Sequence, residues 1–146
     1  MKLNKKGFTL IELLAVIVIL GVLVAVAIPA VTKILDNAKK DTYVSNAAAA
    51  INAFRQEYIM PSGSATFVTV GAVTYMTLEN INTLLEKTMT KNPYGESYDT
   101  ANSYVQISGT TYSICLEGTA HGIALTAENS LTRASVVNTT PTCTLP

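Results

Sequence analysis

Residues 13–31 form an unbroken run of 19 residues without one charged side chain. As a helix such a run rises roughly 28 Å, about the thickness of a bilayer's hydrocarbon core. In front of it stands a short basic leader with Lys2, Lys5 and Lys6, then Gly7-Phe8-Thr9-Leu10-Ile11-Glu12. The chain is therefore expected to begin with a membrane span at about residues 8–31 that carries one carboxylate, Glu12, near its entrance. An acid at the bilayer centre costs on the order of 2.5–3.5 kcal/mol and less near an interface. A plain anchor has no need of it, so Glu12 requires its own explanation; locally, Thr9-Leu10-Ile11-Glu12 reads as a capping box, with Phe8 stapled onto Leu13.

An ordinary secretory signal does not fit. Its apolar region is about 7–15 residues long and is followed by a small-residue cleavage site. Here the run is longer, Glu12 interrupts its start, and Ala25-Val26-Ala27 is followed directly by Ile28-Pro29. The better processing point precedes the apolar run, between Gly7 and Phe8. Lys33, Lys39 and Lys40 follow the span, so basic residues alone do not orient it; the exported character of the rest of the chain places the leader inside.

The stretch Lys6-Gly7-Phe8-Thr9-Leu10-Ile11-Glu12-Leu13-Leu14, with the long apolar helix and Pro29 behind it, resembles the type IV prepilin signature shared by type IV pilins and type II secretion pseudopilins. The close likeness covers residues 5–31 and is architectural beyond them. It implies that a prepilin peptidase removes leader residues 1–7 and methylates the new amine of Phe8. It also implies that other proteins of a pilus assembly machinery draw the membrane-held precursor into a helical filament. Partners would be further copies of the chain and related minor pilins. In similar pilins the helix between positions matching Gly21 and Pro29 loses its geometry on packing, and Glu12 attracts the Phe8 amine of a neighbour. The favoured function is a structural subunit of an extracellular pilus serving adhesion, motility or DNA uptake. The alternative is a pseudopilin of a type II secretion or competence system; a bitopic domain that never polymerises leaves Glu12 and the Gly7-Phe8 junction unexplained.

After residue 31 the apolar pattern turns amphipathic. Ile34, Leu35, Ala38, Val44, Ala47, Ala48, Ile51, Phe54 and Tyr58 step mostly by threes and fours, the spacing of one helical face, while Lys33, Asp36, Lys40, Arg55 and Glu57 fall mostly elsewhere. Pro61 disfavours helical geometry at Met60, and Ser62-Gly63-Ser64 marks the exit. A stalk over residues 8–60 is expected, half embedded and half docked on a head formed by residues 61–146. In the head, residues 65–70 and 72–76 read as a hairpin about Gly71, residues 77–88 as a short helix, and Asn92-Pro93-Tyr94-Gly95 as a turn. Residues 103–108, 111–116, 122–126 and 133–137 read as strands. The expected class is α+β: a long N-terminal helix packed on a small antiparallel sheet.

Cys115 and Cys143 are the only cysteines. An even count in an exported domain suggests a disulfide, the alternative being two unpaired thiols. Catalysis needs convergent groups, and none is evident. His121 is the only histidine; a thiol dyad with Cys115 lacks any surrounding signature, and a turn or surface position suits it better. The carboxylates lack metal-loop spacing, the glycines are isolated, and no cofactor or metal is expected. Formal charge is zero; losing residues 1–7 removes three lysines, so the mature chain is mildly acidic and carries no nucleic-acid footprint. The sequon Asn138-Thr139-Thr140 is short enough to occur by chance, and the seven tyrosines read as core and sheet residues.

Overall fold

The computed structural model describes residues 7–146; leader residues 1–6 lie outside the described part, and so does any structural reading of Lys2, Lys5 and Lys6. The fold is α+β. One helix, α1 (Leu10–Ile59), is followed by β1 (Val68–Val70), β2 (Val73–Thr77), α2 (Leu78–Ile81), β3 (Tyr104–Ser108), β4 (Thr111–Leu116), β5 (Gly122–Ala127) and β6 (Val136–Val137). Contacts divide the chain after Asp36 into an N-terminal unit and a larger head unit.

In the N-terminal unit every described residue from Gly7 to Leu35 is exposed. Eighteen of them are large and apolar, among them Phe8 at 87 %, Leu10 at 85 % and Val26 at 73 %. The helix is long and apolar enough to cross a membrane. Fully burying a side chain of this kind gains about 1.5–3 kcal/mol, so a surface like this one calls for cover other than water.

In the head unit α1 presents one stripe, Tyr43, Ala47, Ala50, Ile51 and Phe54, all fully buried. Small Ala47 and Ala50 bring the backbone close to the sheet, and the aromatic residues fill the ends. Opposite them lie Met76, Val105, Ile107, Ile114, Leu116, Ile123 and Val136. Val105 and Ile107 on β3, and Ile114 and Leu116 on β4, are alternate positions, as the two-residue period of a strand demands. The sheet is a six-stranded antiparallel meander in the order β1-β2-β3-β4-β5-β6. Two-residue loops close β1/β2 and β3/β4, pairing Val70 with Val73 and Ser108 with Thr111. Each has a glycine first, Gly71 at φ 59° and Gly109 at φ 60°, a backbone that L-residues with a Cβ rarely adopt. The opposite face carries a second cluster, Tyr75, Tyr104, Cys115 and Cys143. A disulfide joins Cys115 to Cys143 with Cα atoms 5.8 Å apart, and Tyr104 Oη donates to Thr144 O at 2.9 Å, so the C-terminal tail is strapped across that face.

Three local expectations are corrected. The helix expected over residues 77–88 stops after Ile81, because the Asn82 side chain pairs with the Met89 backbone (Met89 N to Oδ1 2.7 Å, Nδ2 to Met89 O 3.3 Å) and folds the chain back. The strand expected over residues 133–137 is reduced to Val136–Val137. A 3-10 turn occupies Arg133–Ser135, held by a reciprocal cap between Thr132 and Ser135. Glu57, expected to lie off the packed face, is buried. Its carboxylate accepts from Ser62 Oγ at 2.7 Å, Ser62 N at 2.9 Å and Gly63 N at 3.1 Å, fastening the exit of α1. The Ser62 hydroxyl, then the Ser62 and Gly63 amides, hold its carboxyl below the usual range despite burial.

Candidate assembly site

Gly7, Phe8 and Thr9 precede the helix in irregular, exposed backbone. The Gly7–Phe8 peptide bond thus lies outside the hydrogen-bonded ladder of α1. Thr9 and Glu12 then start α1 together. The Glu12 amide donates to Thr9 Oγ1 at 3.4 Å, while Glu12 Oε2 accepts from Thr9 N at 2.8 Å and Thr9 Oγ1 at 2.7 Å. Leu13 N donates to Thr9 O at 3.2 Å, closing the first turn. This is a capping box, worth having where lipid offers amide groups no water. Its carboxylate also sits at the positive end of the helix dipole. The hydrophobic staple expected of Phe8 on Leu13 is not made, since Phe8 is 87 % exposed. Both cap bonds use one oxygen of Glu12, and Oε1 has no hydrogen bond to any described residue.

Gly21 and Pro29 lie inside continuous α1. A Cβ built on Gly21 would meet nothing within 4 Å, so packing within one copy does not demand the glycine. Pro29 removes one ladder donor and costs about 3 kcal/mol in a helix interior. The Thr32 hydroxyl donates to Pro29 O at 3.0 Å one turn later. The span therefore holds two weak points eight residues apart, neither required by the fold of the single chain.

Sequence reasoning missed a polar clasp in the head. Glu96 Oε2 accepts from Asn92 Nδ2 at 2.9 Å, His121 N at 3.1 Å and Ala120 N at 3.3 Å, and Oε1 pairs with His121 Nδ1 at 2.8 Å. The His121 ring stacks on Tyr94 at 3.7 Å, and Lys39 Nζ lies 5.0 Å from the Tyr94 ring centre. Tyr43 Oη, from the helix stripe, donates to His121 O at 3.1 Å. Burial works against the charged form of Glu96, but Asn92, His121 and the Ala120 amide outweigh it and bring its carboxyl down to about 2. The Asn92-Pro93 turn signal located one part of this clasp; its other members, far off in sequence, gave no pattern. The disulfide consumes the Cys115 thiol, which leaves no dyad with His121.

A capped apolar helix behind a Gly-Phe junction, joined to a helix-on-sheet head, is a pilin-like arrangement. Residues 2–28 match the family model described as the prokaryotic N-terminal methylation motif. The chain is also similar to the type IV narrow pilus major component PilA5 of Thermus thermophilus, at 41 % identity over 64 residues, which cover 44 % of this chain and 55 % of that protein. The chain thus spans about half the length of the curated relative it matches. No solved structure matches. Motif and relative thus support a likeness to type IV pilins over part of the chain.

Proposed function

We propose that the chain is a structural subunit of an extracellular type IV pilus. A prepilin peptidase cuts after Gly7 and methylates Phe8; the precursor waits as a single-pass membrane protein; the assembly machinery then packs α1 of successive copies, with related minor pilins, into a fibre on the cell surface. The observation that carries this reading is the exposed, uncharged face of α1 headed by a carboxylate one of whose oxygens bonds to none of the described residues. In a filament the apolar face is covered by neighbouring helices, and Glu12 Oε1 receives the charged amine of Phe8 from an adjacent copy, which methylation leaves cationic. Gly21 and Pro29 let the intervening turns loosen as helices crowd. The relative's name, a major pilus component, supports the pilus over a pseudopilus; adhesion, motility and DNA uptake are the roles such a fibre serves.

Two measurements test this. Intact-mass analysis of protein from its own host should show loss of residues 1–7 and one added methyl group; a mature start beyond Ala27 would refute it. Glu12→Gln keeps the capping geometry and removes the charge, so it should be cut and inserted normally yet yield few or no fibres. Normal fibre yield from Glu12→Gln, with failure only in Glu12→Ala, would leave Glu12 a helix cap and nothing more. Short periplasmic fibres seen only when a secretion system is overproduced would assign the pseudopilin role.

A further inference from the structure

Residues 58–78 are 21 in a row without a charged side chain, and in their middle lies β1, one edge of the sheet. Natural edge strands are commonly guarded by a charge, a proline or a bulge, because their outward N–H and C=O groups otherwise recruit another strand. The other edge, β6, is two residues long and runs straight out of the capped 3-10 turn. β1 has no charge, no proline and no shift of register against β2, and all three of its residues are exposed. It is also held in place. Phe67, just before it, packs edge-on against Phe54 and Tyr58 of α1, at 5.5 and 5.8 Å between ring centres.

The register decides which groups face outward. Val70 and Val73 close the two-residue loop as a hydrogen-bonded pair, so the next pair, Thr69 and Thr74, is a non-bonded one. Side chains of such a pair come close, and the two Oγ1 atoms are 3.1 Å apart. The Thr69 N–H and C=O therefore point away from β2, and neither has a backbone partner among the described residues. Val68 and Val70, 40 % and 48 % exposed, stand on the sheet face of Tyr75, opposite the one that packs on α1.

We propose that β1 is a self-association edge, at which two copies of the chain pair antiparallel about a two-fold axis through Thr69. In that register the Thr69 N–H of each copy donates to the Thr69 carbonyl of the other, and Val68 of one copy faces Val70 of the other. Thr–Thr and β-branched pairs across strands are favourable. The Val-Thr-Val sequence reads the same from both sides of the axis, and no like charges meet. A charged partner segment would instead lose water from its charges with nothing here to pair them. Three residues a side fall well short of the about 800 Å² per partner of a stable complex. Dilute single chains therefore stay monomeric, and many such contacts in a row hold by avidity. A two-fold axis reverses direction, while all copies in one helical fibre point the same way. The contact thus joins copies in different fibres, a consequence that rests on the pilus reading; the pairing itself does not.

The test is oxidative cross-linking of the detergent-solubilised full chain carrying Thr69→Cys, with the native disulfide intact. Across a bonded antiparallel pair the Cα atoms lie about 5.5 Å apart, a separation that a disulfide spans. Thr69→Cys should therefore yield a covalent dimer on non-reducing gels, at least about tenfold faster than Thr111→Cys, an exposed site away from the edge. Adding Val68→Lys/Val70→Lys brings like charges face to face and should drop the rate to that of Thr111→Cys. Adding Val68→Lys/Val70→Glu instead sets opposite charges across the axis and should restore it, both effects fading as salt rises. Restoration also shows that the loss was not one of folding. Equal rates for Thr69→Cys and Thr111→Cys, or no difference between the two charge variants, overturns the pairing whatever becomes of the pilus reading, because no fibre is needed. In host fibres Val68→Lys/Val70→Lys should leave yield unchanged and reduce side-by-side bundles at least about twofold by electron microscopy. Bundling as in wild type overturns the link between fibres.

Discussion

Replacing Glu96 with glutamine should destabilise the head and change how its stability responds to acid. The carboxylate accepts four hydrogen bonds, from Asn92, Ala120 and both the amide and ring of His121, and its side chain is 22 % exposed. With its carboxyl at about 2 instead of the ordinary 4.5, linkage assigns the ionised form about 3 kcal/mol at most. The folded-state value is the depressed one, so this stability is complete above about pH 4.5 and is lost as pH falls toward 2. Glutamine can still offer one carbonyl to the three donors at the Oε2 position, but its amide group faces His121 Nδ1 without charge. The expected cost near neutral pH is about 1.5–3 kcal/mol, the range for hydrogen bonds to a charged group. Near-UV circular dichroism of the tyrosines, followed through thermal melts of detergent-solubilised wild type and variant from pH 7 to pH 2, measures both effects. Asp41, Glu57 and Asp99 also have lowered carboxyls, so both proteins lose stability in acid. What must differ is the slope: the gap between them should close as pH drops below about 4. A gap that stays constant down to pH 2 would refute the reasoning, because the charge of Glu96 would then contribute nothing.

Non-reducing peptide mapping of exported protein should recover Cys115 linked to Cys143. Cys143→Ser should cost about 3–4 kcal/mol on the chain-entropy model for a separation of 28 residues, read as a fall in melting temperature. Gly122→Ala should cost about 1–3 kcal/mol of head stability in denaturant titration, since its Cβ would stand 2.4 Å from Pro141 Cγ and 2.5 Å from Leu116 O; an unchanged midpoint would mean the tail is not packed there. Removing residues 1–32 should give a soluble monomer by light scattering, because the whole uncharged run is gone; unaided fibre formation by that fragment would show that assembly does not depend on α1.

What the sequence makes legible follows the range of the interaction behind it. The spacing of Ala47, Ile51 and Phe54 announces a packed helix face because helical period acts over a few residues, and the Thr9–Glu12 cap spans only three. The strands about Gly109 are legible for the same reason: alternation plus one glycine specifies a hairpin. Local rules fail where a side chain reaches farther. Leu84 and Leu85 continue the apolar spacing of a helix, yet Asn82 bonding to Met89 seven residues on ends it. Arg133 and Ser135 look like part of a strand but serve a turn capped from Thr132. Arg133 itself spends its guanidinium on Asp41, 92 residues away. Glu57 reads as a surface charge until the chain beyond Pro61 turns back onto it. The Glu96 clasp is the extreme case: a turn, a loop and a helix supply its parts, 25 residues separating Glu96 from His121, and no periodicity connects them.

Glu12 is where the local and the distant accounts meet, and in the assembly we propose the two are compatible. A capping box alone would be served by glutamine, whose carbonyl can accept the same two bonds from Thr9. An ion pair alone would be served by a carboxylate free of the backbone, but such a group could turn away from its partner and would lose side-chain entropy on meeting it. With Oε2 fixed by Thr9 N and Oγ1, the carboxylate is held in one orientation at the head of α1, and among the described residues Oε1 has no hydrogen-bond partner. In the assembly we propose, this matters because an unpaired charge between packed apolar helices is expensive, while attraction to an incoming amine is stronger there than in water. The cap then orders the acid before the neighbour arrives, and the neighbour's amine satisfies what the cap leaves open. On this account Thr9→Val, which removes the hydroxyl but keeps the charge, should slow assembly without abolishing it, and fibre yield should fall between wild type and Glu12→Gln. A yield as low as that of Glu12→Gln would mean that the charge is useless without the cap. A yield equal to wild type would mean that the cap plays no part in assembly.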